Sequence, residues 1–418
     1  MRKIIALLFA ALVCAGALAC AGCTAGKKTA VLWTDCPEFA LYGEYFNSAQ
    51  DQYKIEIEYY PYPARVLAEA GRREFPDLAA GSWLKSSATR SLFSPLDKIF
   101  GSIRKDSFYP SLLALGAIEG RQYLLPVSFN APALVFSLEN SRMVDNPFVI
   151  TFDEIRELGK AYNTAANGVY TRLGFAPASD DEFVYLVAGL FNANFREANP
   201  IAWDSPALER AVSYIRDWTS EANGSIQAED DFVFKYFYTP QAKLALSGRI
   251  LFGYMKSQDL FTLHEELRSG LDFRWIASQR SIPLYEGSVF MGLCKKGRAK
   301  GAARAFIQWF FNEETQRSLL EASRKNRTYE HSFGIGNGFS ALRTVTEGIY
   351  PRFYPQLLGH MPPQDYLTPP NILPYNWLIL KNQVIFPFFH ERLRASSRDG
   401  VNSLERRVGA WYRTNPVH

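Results

Sequence analysis

The stretch AVLWTDCPEFALYGEYFNSAQDQYKIEIEYY, residues 30–60, decides the fold. Ala30 to Thr34 is a compact apolar run of strand length. Pro37 to Ala49 places Phe39, Tyr42 and Phe46 on one helical face, and Tyr53 to Tyr60 alternates with a period of two. Strand, helix and strand in that order make a β-α-β unit, whose two strands lie parallel because the helix carries the chain back. Outward from it, Ala64 to Glu74 reads as a second helical segment, and Pro76 to Ala80 leads into a short strand followed by Gly81-Ser82-Trp83. Strand and helix go on alternating, which predicts an α/β fold with parallel strands.

Further along, Gln122 to Val127 and Ala133 to Ser137 are strand-like runs broken by Ser128-Phe129-Asn130-Ala131-Pro132, a break that fits a crossover between two lobes. Thr151-Phe152-Asp153-Glu154 opens a helix as a capping box. Ser205-Pro206 opens another, with serine as the cap and proline in the first turn. Ser288 to Cys294 reads as a buried strand, Arg298 to Phe311 as an amphipathic helix, and Asn312 as the cap of the helix after it. No period of 20 to 50 residues repeats, which excludes solenoids and propellers.

The 418-residue chain begins with Met1-Arg2-Lys3, an apolar run from Ile4 to Leu18, and small residues around Cys20 and Cys23. That is the pattern of an export signal, too short to span a bilayer. Its end resembles the lipobox of bacterial lipoproteins, with Cys23 as the lipidated residue and Cys20 as the alternative. An ordinary cleaved signal with incidental cysteines is the other reading. The remainder is long enough for two domains. A formal charge of +4, reduced by Arg2 and Lys3 if the leader is removed, argues against a nucleic-acid partner. Aromatic residues reach 15%; most of them must be core, and a surplus beyond the core suits a cleft that stacks rings on a flat amphipathic ligand such as a sugar. After the leader only Cys36 and Cys294 remain, so no disulfide framework is expected, although one bond between them is open.

The order of segments resembles the extracellular solute-binding proteins of ABC importers, the family that includes the maltose- and oligosaccharide-binding proteins. Pro76-Asp77-Leu78 is similar to that family's "P-D-hydrophobic" segment, and Gly120-Arg121-Gln122-Tyr123-Leu124-Leu125-Pro126 to its "G-K-x-Y-x-x-P" run. Leu134 to Ser137 sits where the family has "hydrophobic-Y-N", with Phe136-Ser137 in place of Tyr-Asn. Thr151-Phe152-Asp153-Glu154-Ile155 is like "T-W-D-E-L", and Gly287 to Gln316 resembles the family's strand, "A-x-x-F-hydrophobic" helix and "x-x-E-x-Q" helix start. Each piece is common alone, and the order is what carries the likeness.

The resemblance implies two α/β lobes of the type II periplasmic-binding-protein kind, each a mostly parallel sheet flanked by helices. The expected division is 1–22 signal peptide, 23–29 tether, 30–130 with about 256–305 as the first lobe, and 131–255 with about 306–418 as the second. It further implies a monomer, anchored by lipid to the cell membrane and facing the periplasm or exterior, that passes a small polar solute, a sugar or oligosaccharide, to ABC permease subunits without any cofactor.

A cleft beyond the carboxyl ends of the strands takes its contacts from residues that follow strands. On the first lobe these are Trp33, Asp35, Ser82 and Trp83, with Trp83 able to stack on a sugar face or simply to cover the core. Phe129 and Asn130 belong to the crossover, where asparagine also serves turns. Asp181 lies in an acidic trio that equally fits a helix N-terminus. Tyr254 falls at the family's return hinge, Glu286 in a loop that often meets ligand, and Trp377 in a late region that sometimes closes the cleft. An exported glycoside hydrolase using two carboxylates is the enzyme alternative, and an envelope adhesin the structural one. The chain has no Gly-x-Ser-x-Gly elbow, His264-Glu265-Glu266 lacks the second histidine of a zinc motif, and no phosphate-cradling Gly-Lys-Ser/Thr loop occurs. No metal-ligand spacing is present among the five histidines.

Overall fold

The computed structural model describes residues 27–70, 75–395 and 403–415. The leader, Cys20, Cys23 and most of the expected tether lie outside the described residues. Ten strands build two sheets: β1 (Lys28–Thr34), β2 (Tyr53–Tyr59), β3 (Leu78–Gly81), β4 (Leu124–Phe129), β5 (Pro132–Ser137), β6 (Val149–Ile150), β7 (Gly253–Lys256), β8 (Leu271–Ile276), β9 (Val289–Leu293) and β10 (Phe339–Ser340). The first strand starts at Lys28, so the last two residues of the expected tether are already in a sheet.

The first sheet runs β10-β4-β9-β3-β1-β2 and the second β7-β5-β8-β6. The 30–60 unit folds as its sequence predicts: β1 pairs in parallel with β2 in register from Lys28↔Tyr53 to Thr34↔Tyr59, and the helix Phe39–Ala49 between them buries Phe39, Tyr42 and Phe46. Strand β3 also joins β1 in parallel. The sheets are not mostly parallel, however. Strand β9 runs antiparallel to both β3 and β4, β10 antiparallel to β4, and β5 antiparallel to both β7 and β8, with β8 and β6 the parallel pair of the second sheet. The cause is the repeated crossing between lobes: a strand that enters from the other lobe arrives from the opposite end.

Those crossings lie at Asn130–Ala131, at Lys256–Ser257, in residues 277–288 and between Leu357 and Leu373. Two of them touch in a short parallel ladder, Ile282↔Leu367 and Pro283↔Thr368. The division of the chain differs from the expected one. Phe306, Phe310, Leu319, Tyr350 and Leu357 share a core with Leu32 and Phe39, so the chain from 306 to 357 completes the first lobe. The reason is aromatic: the helix Lys300–Phe310 lays Phe310 against Phe39 with ring centroids 5.4 Å apart, and Phe306 edge-on to Phe46 at 5.3 Å. Strand β8, expected in the first lobe, pairs in the second sheet. From Leu373 the chain rejoins the second core, where Trp377, Phe389 and Trp411 pack with Phe183 and Trp218.

Caps follow the sequence with one shift. Thr151 accepts from the Glu154 amide while Glu154 accepts from the Thr151 amide at 2.7 Å, and Asn312 accepts from the Glu314 and Thr315 amides. The helix Ser205–Ala222 is capped by Asp204, which accepts from the Ala207 amide at 2.7 Å, and Ser205 occupies the first turn. Cys36 and Cys294 are both buried free thiols in separate clusters, so the bond left open by the sequence is not formed.

Within the second lobe Glu229 is fully buried, its carboxylate accepting from the Asn223 side chain at 2.7 Å and the Ala178 amide at 3.2 Å. Burial outweighs those bonds and pushes its carboxyl up to about 7. A folded pKa raised above the unfolded 4.5 contributes stability that is complete below pH 4.5 and is lost as pH rises through about 7. The loss is about 3 kcal/mol at pH 8. Asp180 and Asp35, each raised to about 6, act in the same direction. Urea unfolding at pH 5 and pH 8 should therefore show a smaller loss for Glu229→Gln than for the parent, and equal losses would assign the slope to other groups.

Candidate ligand-binding cleft

Strands β1, β2 and β3 are parallel and end on one edge of the first sheet, and the residues that follow them form one wall of a cleft of about 360 Å³. Asp35 follows β1, Tyr59 ends β2 with Tyr62 beyond it, and Ser82 and Trp83 follow β3. The fit at β3 is tight. A Cβ on Gly81 would lie 2.6 Å from Asp35 Oδ1 and 2.8 Å from the Pro63 ring, so only glycine lets the carboxylate sit there. The Ser82 amide donates to Asp35 Oδ2 at 3.2 Å, and the Ser82 hydroxyl donates to the Gly287 carbonyl at 3.1 Å, tying the wall to a crossover. Trp83 has φ +67°, left-handed backbone that a bulky side chain rarely adopts, and its half-buried ring lines the cleft. Burial pushes the Asp35 carboxyl up to about 6 against the Ser82 and Cys36 hydrogen bonds.

The crossovers form the floor. Asn130 donates to Gln258 Oε1 and to the Asn337 carbonyl, both at 2.9 Å, and accepts from the Ser257 hydroxyl at 2.6 Å, while its own carbonyl accepts from the Tyr285 amide at 3.0 Å. It thus ties its own crossing to two others and to a first-lobe turn at Asn337. The opposite wall carries a charge cluster. Lys381 donates to Glu286 at 2.5 Å and to both oxygens of Glu182 at 3.1 Å, and Lys256 donates to Glu182 at 3.0 Å. Burial alone would lower the Lys381 ammonium, but Glu286 and Glu182 hold it above its ordinary value. Burial alone would likewise raise Glu286, and Lys381 holds it below the usual carboxylate range. Lys381 opens a π-helical turn, Lys381–Ile385, a helix irregularity that often accompanies functional positions. Glu182, Tyr285 and Glu286 also wall a second cavity of about 430 Å³ on the second-lobe side, with Tyr185, Asn194 and Asn371.

Of the residues singled out in the sequence, Asp35, Ser82, Trp83, Asn130 and Glu286 come together on this cleft. The others do not reach it. Trp33 lies in the core, still within β1, with its ring against Tyr60 at 4.7 Å between centroids and Nε1 donating to Glu58 at 2.8 Å. Phe129 is 1% exposed, packed between Tyr109 and Phe339. Asp181 is half-buried toward His390 and Arg394, one helical position away from Glu182, which does line the cleft. Tyr254 and Trp377 act one step behind: the Tyr254 and Tyr285 hydroxyls hydrogen-bond each other, and Trp377 Nε1 donates to Glu286 at 3.2 Å. Glu182 belongs to the acidic trio 180–182, of which Asp181 is the expected contact, whereas Lys256, Tyr285 and Lys381 carry no signal in the sequence. Among the described residues no three His, Cys, Asp or Glu side chains converge as a metal site, and no helix is long and apolar enough to cross a membrane.

The cluster generates a prediction. Removing one partner of a buried ionic network costs about 3–5 kcal/mol because it strands the others without compensation. Lys381→Met should lose about that much in guanidinium unfolding, and adding Glu182→Gln and Glu286→Gln should recover most of it. A single variant as stable as the parent would show that the ammonium is not what holds the two carboxylates.

Solved structures share this architecture at low identity. The cyclic alpha-maltosyl-1,6-maltose binding protein from Arthrobacter globiformis aligns with TM-score 0.60 and 16% identity over 94% of this chain and 99% of its own. An ABC substrate-binding protein from Listeria monocytogenes, in complex with cycloalternan, aligns with TM-score 0.59 and 14% identity over 93% and 99%. A sugar-binding protein from Xanthomonas citri gives 0.65 and 11% over 92% and 96%. No curated protein sequence matches the chain significantly. The sequence pattern of bacterial extracellular solute-binding proteins matches residues 42–325. With that pattern over most of its length, and a cleft between two lobes, the chain belongs to the bacterial extracellular solute-binding proteins.

Proposed function

We propose that the protein captures a saccharide in the interlobe cleft and delivers it to an ABC-type importer. The observation that carries this reading is the first-lobe wall, where Trp83, Tyr59 and Tyr62 stand beside Asp35 and Ser82. A sugar ring has an apolar face bounded by hydroxyls, so it stacks on an aromatic plane while its hydroxyls donate to carboxylates and carbonyls. The names of the structural neighbours, which refer to maltosyl-maltose, cycloalternan and sugar, support the same class. Binding favours the closed arrangement of the lobes, and the importer reads closure. Lipidation at Cys23, or at Cys20, would hold the receptor beside its permease.

The charge cluster argues against glycoside hydrolysis at its two carboxylates. A hydrolase needs one carboxylic acid kept protonated to donate to the leaving oxygen, whereas Lys381 bonds both Glu182 and Glu286 and holds Glu286 ionised. Calorimetric titration with linear and cyclic maltooligosaccharides and with mannooligosaccharides tests the reading. At least one should bind, and Trp83→Ala should weaken it about tenfold, the loss of one ring stack. Release of shorter sugars from a bound oligosaccharide, or binding confined to non-saccharide solutes, would overturn the proposal.

A further inference from the structure

We propose that the cleft selects a saccharide carrying a protonated amine, held at the end of the first-lobe wall where Asp35 and Glu38 lie. This rests on the saccharide reading and narrows it. Four carboxylates line the cleft, Asp35, Glu38, Glu182 and Glu286, against two ammonium groups, Lys256 and Lys381. Both ammonium groups are committed to Glu182 and Glu286. Asp35 and Glu38 have no ion pair among the described residues: Asp35 accepts from the Ser82 amide and the Cys36 thiol, and Glu38 Oε1 accepts from the Ser332 hydroxyl at 2.6 Å. Glu38 Oε2 is buried without a hydrogen-bond partner.

Neighbouring, partly buried carboxylates without a countercharge are costly, and a cation that the ligand places beside them offsets that cost. A neutral hydroxyl adds a hydrogen bond but leaves the charge uncompensated. The same wall presents Tyr59, Tyr62 and Trp83, whose ring faces attract an ammonium group as well as stacking on a sugar. The groups that face Asp35 are the Ser82 amide, the Cys36 thiol and the Glu38 carboxylate, none of them a cation. Sugar phosphates and uronic acids meet the opposite situation, since no lysine of the cleft is left to receive them.

Calorimetric titration near neutral pH with glucosamine di- and trisaccharides, their fully N-acetylated counterparts and maltooligosaccharides of equal length decides the matter. The amine-bearing sugars should bind at least tenfold tighter than the acetylated ones, and their advantage should shrink severalfold between 50 and 500 mM salt, as a charge contact requires. Asp35→Asn with Glu38→Gln should bring the ratio of the two affinities close to one. The salt series uses the unaltered protein, so it decides even where the double variant does not fold. Equal or tighter binding of acetylated or neutral sugars overturns the amine assignment and leaves the saccharide reading standing. Failure of every saccharide to bind overturns both.

Discussion

The ammonium of Lys381 is the point on which the cleft depends. It is buried, and it joins Glu182 at the start of a second-lobe helix to Glu286 in a segment that crosses between the lobes. Each of these charges would be prohibitively expensive alone in that setting, so their positions are mutually determined. Trp377 donates to the same Glu286 oxygen, and the rings of Tyr185 and Phe386 lie about the ammonium at 5.0 and 5.2 Å from their centroids. A fully committed cation is also a rigid one. The second-lobe wall therefore meets the cleft with a preset charge pattern, and the crossover carrying Tyr285 and Glu286 is held to that lobe by charge as well as by backbone.

The side chains that tie the first-lobe wall to the same crossover are neutral. Ser82 reaches the Gly287 carbonyl with one neutral hydrogen bond, and Asn130 joins its own crossing to that at Ser257-Gln258 with neutral side-chain bonds. A neutral hydrogen bond is worth about 1 kcal/mol net, against several for breaking a buried ionic network. The side-chain ties between the first-lobe wall and the crossover are thus weaker than those within the charge cluster. A solute that bridges the walls then shifts the population toward the closed arrangement by the contacts it adds across that boundary.

What the sequence disclosed follows from the range of the interactions involved. The 30–60 unit was legible because its pattern is local: period two in β2, and one apolar helical face on Phe39–Ala49. The Thr151 box spans only four residues and formed as read. The serine at 205 misled because Asp204 stands directly before it and caps better placed amides. Position after a strand brought Asp35, Ser82 and Trp83 to the cleft, while Trp33, still inside the strand, is committed to the first-lobe core and Asp181 misses by one step of helical phase. Lys381 was invisible for a different reason. Its partners are 199 and 95 residues away, and nothing in the neighbourhood of residue 381 signals that carboxylates will arrive there.

The lobe boundary shows the same limit at larger scale. Helix after strand predicts a layer but not which of two sheets receives it, since both sheets offer apolar faces. The choice for residues 306–357 was made by complementarity of rings: Phe306 and Phe310 on one helix meet Phe46 and Phe39 on another, and Tyr350 and Tyr354 close around Phe333 and Phe339. The abundance of aromatic residues thus has a structural use that composition alone assigned in part to the ligand. Most of the rings are committed to cores, and the share left for the cleft is small: Trp83, Tyr59, Tyr62 and Tyr285. Three of the four belong to the first-lobe wall, so the flat surfaces available to a solute lie opposite the side where the charges are fixed.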